Sequence, residues 1–161
     1  MIVNSVKDKI FDTEAKHIAF PINIEGFVDS KMTYSIVNKV WPELYHTGKH
    51  ELGDVITKIS KGKTYHALVC HSTIRGWGEE QRSVIKECFD KIETDGETIA
   101  TELMSTGLIA TIQGADTEQI LLGMQDSANN LELHSAFSME ELEEYFKKEQ
   151  RRKPKVYENI I

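Results

Sequence analysis

A chain of 161 residues with 40% hydrophobic side chains can bury one core of ordinary size and is too short for a multidomain machine. Its 26 acidic and 19 basic residues leave a net charge of -7, the wrong sign for a protein held to bulk nucleic acid by phosphate neutralisation. No apolar run approaches the ~20 residues a membrane-spanning helix needs. Residues 1–11 (MIVNSVKDKIF) lack the basic and apolar regions of a secretory leader, so the expectation is a cytoplasmic protein with no membrane association.

In chain order, residues 1–6 and 17–22 (HIAFPI) read as strands, and residues 30–41 place Met32, Ile36, Val37 and Val40 at helical spacing. Residues 54–60 (DVITKIS) alternate, KGK turns at Gly62, and residues 64–70 (TYHALVC) continue as a buried strand, together a hairpin. Residues 79–93 put Val84, Ile85, Cys88, Phe89 and Ile92 on one helical face before the Thr94-Asp95-Gly96 stop. Residues 99–104 form a strand, and Asp116 with Gln119 opens a helix over 117–125 in capping-box fashion. Residues 131–135 give a last strand. Ser138 and Glu141 then form an S-x-x-E box that starts a helix running to about Arg152, acidic at its head and basic at its end. Strands alternating with helices predict a layered α/β domain over residues 1–137, and residues 138–161 an added helix and tail on the same domain.

Three segments carry polar chemistry at strand ends. Ser105, Thr106, Gly107, Leu108 and Ile109 follow a strand with small side chains, which lets backbone N–H groups approach an anion; the same residues also suit an ordinary βα turn. Asn23 ends a strand three residues before Gly26 and offers a donor and an acceptor for a ribose hydroxyl or water, or simply forms a turn. His71, Ser72, Thr73, Arg75 and Trp77 follow a buried strand and join polar, cationic and aromatic groups fit for a base or phosphate. His71-Ser72-Thr73 is half of the H-x-[ST] pair of two-histidine phosphoesterases, but His134-Ser135-Ala136 lacks the second hydroxyl. Scattered aspartates give no metal cluster, Cys70 and Cys88 read as small buried hydrophobes, and the basic block from Lys147 to Lys155 reads as a solvated face. No cofactor or metal is called for.

Taken in order, these segments resemble the macro domain family of ADP-ribose-binding modules over roughly residues 5 to 136, a resemblance that implies a three-layer α/β/α domain with a central mixed sheet, and the block from Tyr65 to Trp77 with the helix after it most resembles small macro proteins of tailed phages. Ile10-Phe11-Asp12-Thr13 resembles the family's G-D-I-F-D-S stretch, residues 18–26 its strand and Asn-bearing ribose loop, and residues 104–110 its I-G-T-G-L-x-G phosphate loop. The chain departs from the pattern in three places. The family's adenine-gripping Asp falls at Lys9; the glycine-rich ribose loop becomes Phe27-Val28-Asp29-Ser30-Lys31; and the lysine of the DNA-ADP-ribose hydrolase branch falls at Ile74.

The resemblance implies a binder of ADP-ribose or a related, NAD-derived or cyclic nucleotide, acting as a phage counter-defence protein in the host cytoplasm. The nucleotide would be held by Asn23, Gly26, His71, Arg75 and the Ser105, Thr106, Gly107, Leu108 and Ile109 loop. The alternatives are an ADP-ribosyl hydrolase or ADP-ribose phosphatase, and a ligand-free protein-interaction domain.

Overall fold

The computed structural model describes residues 1–26, 30–46, 49–103, 111–112 and 114–158. Six strands make one sheet: β1 (Ile2–Val6), β2 (His17–Asn23), β3 (Val55–Ser60), β4 (Lys63–His71), β5 (Ile99–Glu102) and β6 (Leu131–His134). The strand order is β1-β6-β5-β2-β4-β3, parallel throughout except for the β3–β4 hairpin. Lys61 and Gly62 both take positive φ in that hairpin, the geometry whose twist matches paired strands.

The helices whose bounds lie within the described residues are α1 (Lys31–Lys39), α2 (Gln81–Asp90), α3 (Thr117–Asp126) and α4 (Met139–Glu158). Ser30 caps α1 by accepting from the Thr33 amide at 3.1 Å. α2 is shorter than its apolar stripe predicts, because its last turn tightens: the Ile92 amide donates to Phe89 three residues back. The Ser138–Glu141 box forms as read, with the Glu141 amide donating to Ser138 Oγ at 3.1 Å and the Ser138 amide to Glu141 Oε1 at 3.4 Å. α4 runs past Arg152 to Glu158, there being no glycine beyond Arg152 to end it. Two short 3-10 turns, Ile10–Asp12 and Pro42–His46, carry no periodic signal and were not expected.

Period-two alternation along the strands divides the core into two layers. On one face Ile18, Phe20 and Ile22 of β2 and Ala67 and Val69 of β4 pack under Ile36 and Val37 of α1, with Ile10, Trp41 and Leu44. On the other face Ala19, Leu68, Ile99, Leu131 and Leu133 meet Ile85, Cys88 and Phe89 of α2, Ile120 and Met124 of α3 and Leu142 of α4. Helices thus cover both faces, the α/β/α arrangement expected. Cys70 and Cys88 are free, buried thiols, and burial pushes Cys70 well above its ordinary pKa, so it packs as a hydrophobe. Among the described residues no helix is long and apolar enough to cross a membrane, and no group of side chains could hold a metal ion.

Candidate functional site

Five strands run parallel, so the carboxyl ends of β1, β6, β5, β2 and β4 share one edge of the sheet. β2 leads into α1 on one face, whereas its neighbour β5 leads to α3 on the other. Adjacent parallel strands followed by helices on opposite faces mark a crevice between them, the place where open α/β sheets bind ligands. The crevice is deepened by unequal ladders: β2 and β5 pair only as far as Ala19 and Thr101, while β2 and β4 continue to Asn23 and His71.

Asn23 and His71 are therefore register partners at the crevice, exposed by 0% and 5% respectively, and form floor rather than rim. The Ile24 amide donates to the His71 carbonyl at 3.0 Å, and the Gly26 amide turns back to the Asn23 carbonyl at 3.3 Å. Gly26 has φ of 77°, a conformation that its missing Cβ permits. The His71 ring stacks on Trp77, 4.6 Å between centroids and 4° between planes. Between these two residues the chain makes a tight turn, closed by reciprocal backbone bonds between Ser72 and Gly76 of 3.1 and 2.8 Å. Arg75 and Ile74 stand exposed at its tip. The structure thus groups Asn23, Gly26, His71 and Arg75; Ser105, Thr106, Gly107, Leu108 and Ile109 lie outside the described residues, as do Phe27, Val28 and Asp29.

Two side chains that sequence reasoning passed over tie this region together. Glu25 accepts from Ser72 Oγ at 2.5 Å and from the Thr73 amide at 2.7 Å. Desolvation pushes its carboxyl up, but the bonds from Ser72, Thr73 and the Ile74 amide outweigh it and leave the group below the ordinary carboxylate pKa. Gln81 donates through Nε2 to the Gly78 and Gly114 carbonyls at 3.0 and 3.2 Å and accepts the Asp116 amide through Oε1 at 2.7 Å. It thereby occupies the half of the α3 cap expected of Gln119, while Asp116 itself accepts from the Glu118 and Gln119 amides. The signal for Glu25 was its place in the short stretch between Asn23 and Gly26; Gln81 had none beyond lying at a helix start.

Along the same edge, at the ends of β1, β5 and β6, a cavity of about 500 Å3 is lined by Lys9, Phe11, Glu102 and His134 among others. His134 Nδ1 lies 2.8 Å from the Asp8 carbonyl, and its Nε2 2.8 Å from the Glu132 carboxylate. Glu132 also accepts from Thr13 Oγ1 at 2.6 Å, and these bonds outweigh desolvation to hold its carboxyl below the usual range. Desolvation raises Glu102, partly offset by His134. The β6 and β4 ends are separated by β5 and β2, three strand spacings or ~14 Å, so His71 and His134 cannot straddle one phosphate. That geometry removes the two-histidine phosphoesterase class on grounds independent of the missing hydroxyl.

A larger cavity, about 650 Å3, lies beside β3 and the amino ends of β2 and β4. Its polar wall is self-satisfied: His17 meets Glu97 at 3.2 Å and His66 at 2.9 Å, and His66 meets Thr57 at 3.1 Å. A ligand there would find those groups already paired, so the crevice at the opposite edge is the stronger candidate.

No protein-family model matches the chain, and no curated protein does. Solved structures do. The macrodomain of Mycobacterium tuberculosis DarG superposes with a TM-score of 0.63 at 10% identity, over 83% of this chain and 96% of that one. A mutant Oceanobacillus iheyensis macrodomain with ADPR gives 0.60 at 15% identity, over 92% of this chain and 93% of that one. The fold is that of a macrodomain. An alphavirus structure, P23pro-zbd, matches at a TM-score of 0.61 and 16% identity over 91% of this chain, which spans only 23% of that longer one. In this macrodomain fold the Asn23–Gly26 turn and the Ser72–Gly76 turn flank the crevice from the β2 and β4 sides.

Proposed function

We propose that the chain binds ADP-ribose or a related, NAD-derived or cyclic nucleotide in the crevice at the carboxyl ends of β2 and β5. The observation that carries this reading is that the helices following those two strands pack on opposite faces of the sheet beside Asn23, in a fold that the Oceanobacillus macrodomain uses with ADPR. Asn23 would meet the ribose, Arg75 a phosphate, and the backbone amides of Ser105, Thr106, Gly107, Leu108 and Ile109 the diphosphate. Gly26 and His71 would shape the floor. Ile74, 80% exposed on the Ser72–Gly76 turn, has no group able to move a proton, which favours binding over turnover. Sequestration of such a signal, the role of a counter-defence protein in a phage-infected host cytoplasm, needs binding alone.

Thermal unfolding with and without ADP-ribose, cyclic ADP-ribose isomers and cyclic dinucleotides tests the reading. Ligand at ~100 times Kd adds about 2.7 kcal/mol of stability. No shift with any of them would leave the interaction-domain alternative. Steady release of free ADP-ribose from an ADP-ribosylated substrate would instead make the protein a hydrolase.

A further inference from the structure

The turn from Ser72 to Gly76 has no hydrophobic anchor at its tip, since Ile74 and Arg75 both face solvent. What fixes it is polar. Ser72 Oγ accepts from the Ile74 and Arg75 amides at 3.2 and 3.0 Å, and the same hydroxyl donates its proton to Glu25 Oε2 at 2.5 Å. Glu25 Oε1 takes the Thr73 amide at 2.7 Å. One carboxylate from the β2–α1 connection thereby gathers successive donors of the β4–α2 turn, the concave amide arrangement that receives anions, here filled by the chain itself. Charge-assisted bonds of this kind are about twice as strong as neutral ones and fix direction as well as distance.

Resting on the nucleotide-binding reading, we infer that Glu25 is a positioning residue: it locks the Ser72–Gly76 turn to the β2 end, so that the turn carrying Arg75 is held beside the Asn23–Gly26 turn on the same side of the crevice. The backbone link from Ile24 to His71 stops one residue short of the turn. An amide in place of the carboxylate keeps the size but presents an N–H toward at least one donor, so it breaks the lock without opening a large void. The lock is expected to act on affinity through Arg75, not through contact of Glu25 with the ligand.

The test uses the full chain as wild type, Glu25→Gln, Glu25→Asp, Arg75→Gln and the double variant Glu25→Gln/Arg75→Gln. Amide hydrogen exchange at Thr73, Ile74 and Arg75 is read by NMR, and ADP-ribose binding by calorimetry. In Glu25→Gln the three amides should exchange at least tenfold faster while the β-sheet amides are unchanged, and Kd should rise about three- to tenfold. Glu25→Asp, charged but one methylene short, should fall between. The double variant should bind no more weakly than Arg75→Gln alone, the non-additivity of residues acting in series. Unchanged exchange in Glu25→Gln, faster exchange with unchanged Kd, or strictly additive losses each overturn the inference. Should wild type bind no ADP-ribose, the proposed function falls, and exchange alone then decides whether Glu25 holds the turn. If Glu25→Gln does not fold, the comparison passes to Glu25→Asp, judged by the same amides and the same coupling to Arg75.

Discussion

His17 and His66 face each other across the β2–β4 ladder, His17 Nδ1 lying 2.9 Å from His66 Nε2 with the rings 16° from parallel. Glu97 closes one end of this row and Thr57 the other, with Lys16 joined to Glu97 at 3.6 Å. Burial, and after it the neighbouring His17, lowers His66 from 6.5 to about 4. The folded state holds His66 neutral at pH values where the unfolded chain protonates it. Its contribution is therefore present in full above pH 6.5 and is lost as pH falls from 6.5 toward 4. The predicted loss is at most roughly 3 kcal/mol over that window. Urea melts at intervals of pH between 7 and 4.5 measure it, a range above that in which depressed carboxylates such as Glu25 and Glu132 lose theirs. A His66→Phe variant with the same slope as wild type would refute the assignment.

Gly123 lies where α3 crosses α2, and a Cβ there would sit 2.6 Å from the Arg82 carbonyl oxygen and 2.9 Å from Ile85 Cβ. Alanine improves helix propensity by about 1 kcal/mol, but the approach is to backbone and core, neither of which yields cheaply. Overpacking costs about 1–3 kcal/mol, so Gly123→Ala should lower Tm by roughly 2–6 °C. A Tm equal to or above wild type would show that the two helices part without cost.

Gly107, beyond the described residues, is the position at which a side chain should hurt binding most. Gly107→Val is expected to obstruct backbone approach to a diphosphate and raise Kd for ADP-ribose at least tenfold, about 1.4 kcal/mol. The circular dichroism spectrum should not change. Normal affinity in the variant would remove the 105–109 loop from the site.

Leu142 is 2% exposed and belongs to the core shared by α2 and α3, with Phe146 half-buried against it. The rest of α4 is largely charged, and its pair Arg151–Glu144 is solvent-exposed. Truncation after Phe137 should cost at least about 2 kcal/mol of stability, the burial of one large aliphatic side chain, and leave affinity within threefold of wild type. A truncated protein that stays folded yet loses its ligand would place the helix in the site.

Elements with a strong local code could be read directly. The period-two run 54–60, the KGK turn and the Ser138–Glu141 box each place their own hydrogen bonds within a few residues, and each forms as read. Strand order could not be read this way: β5 inserts between β2 and β6 through crossovers that no local spacing encodes. The same holds at the site. Asn23 and Gly26 were visible as strand-end residues, but the bonds from Thr73 to Glu25 and from Asp116 to Gln81 span 48 and 35 positions, and only the folded sheet brings those groups together.

The β2–β5 ladder consists of His17–Ile99, Ile18–Ala100 and Ala19–Thr101, and among the described residues it is the only strand pairing that joins the β1-β6-β5 trio to the β2-β4-β3 trio. This short seam is where the sheet should part first under load or thermal fluctuation, its two halves opening like covers about a narrow spine. A molecule lodged just beyond Ala19 and touching both trios would act as a rivet across that seam. Its arrival would then register in amide exchange along Ile99–Glu102, at residues it never contacts.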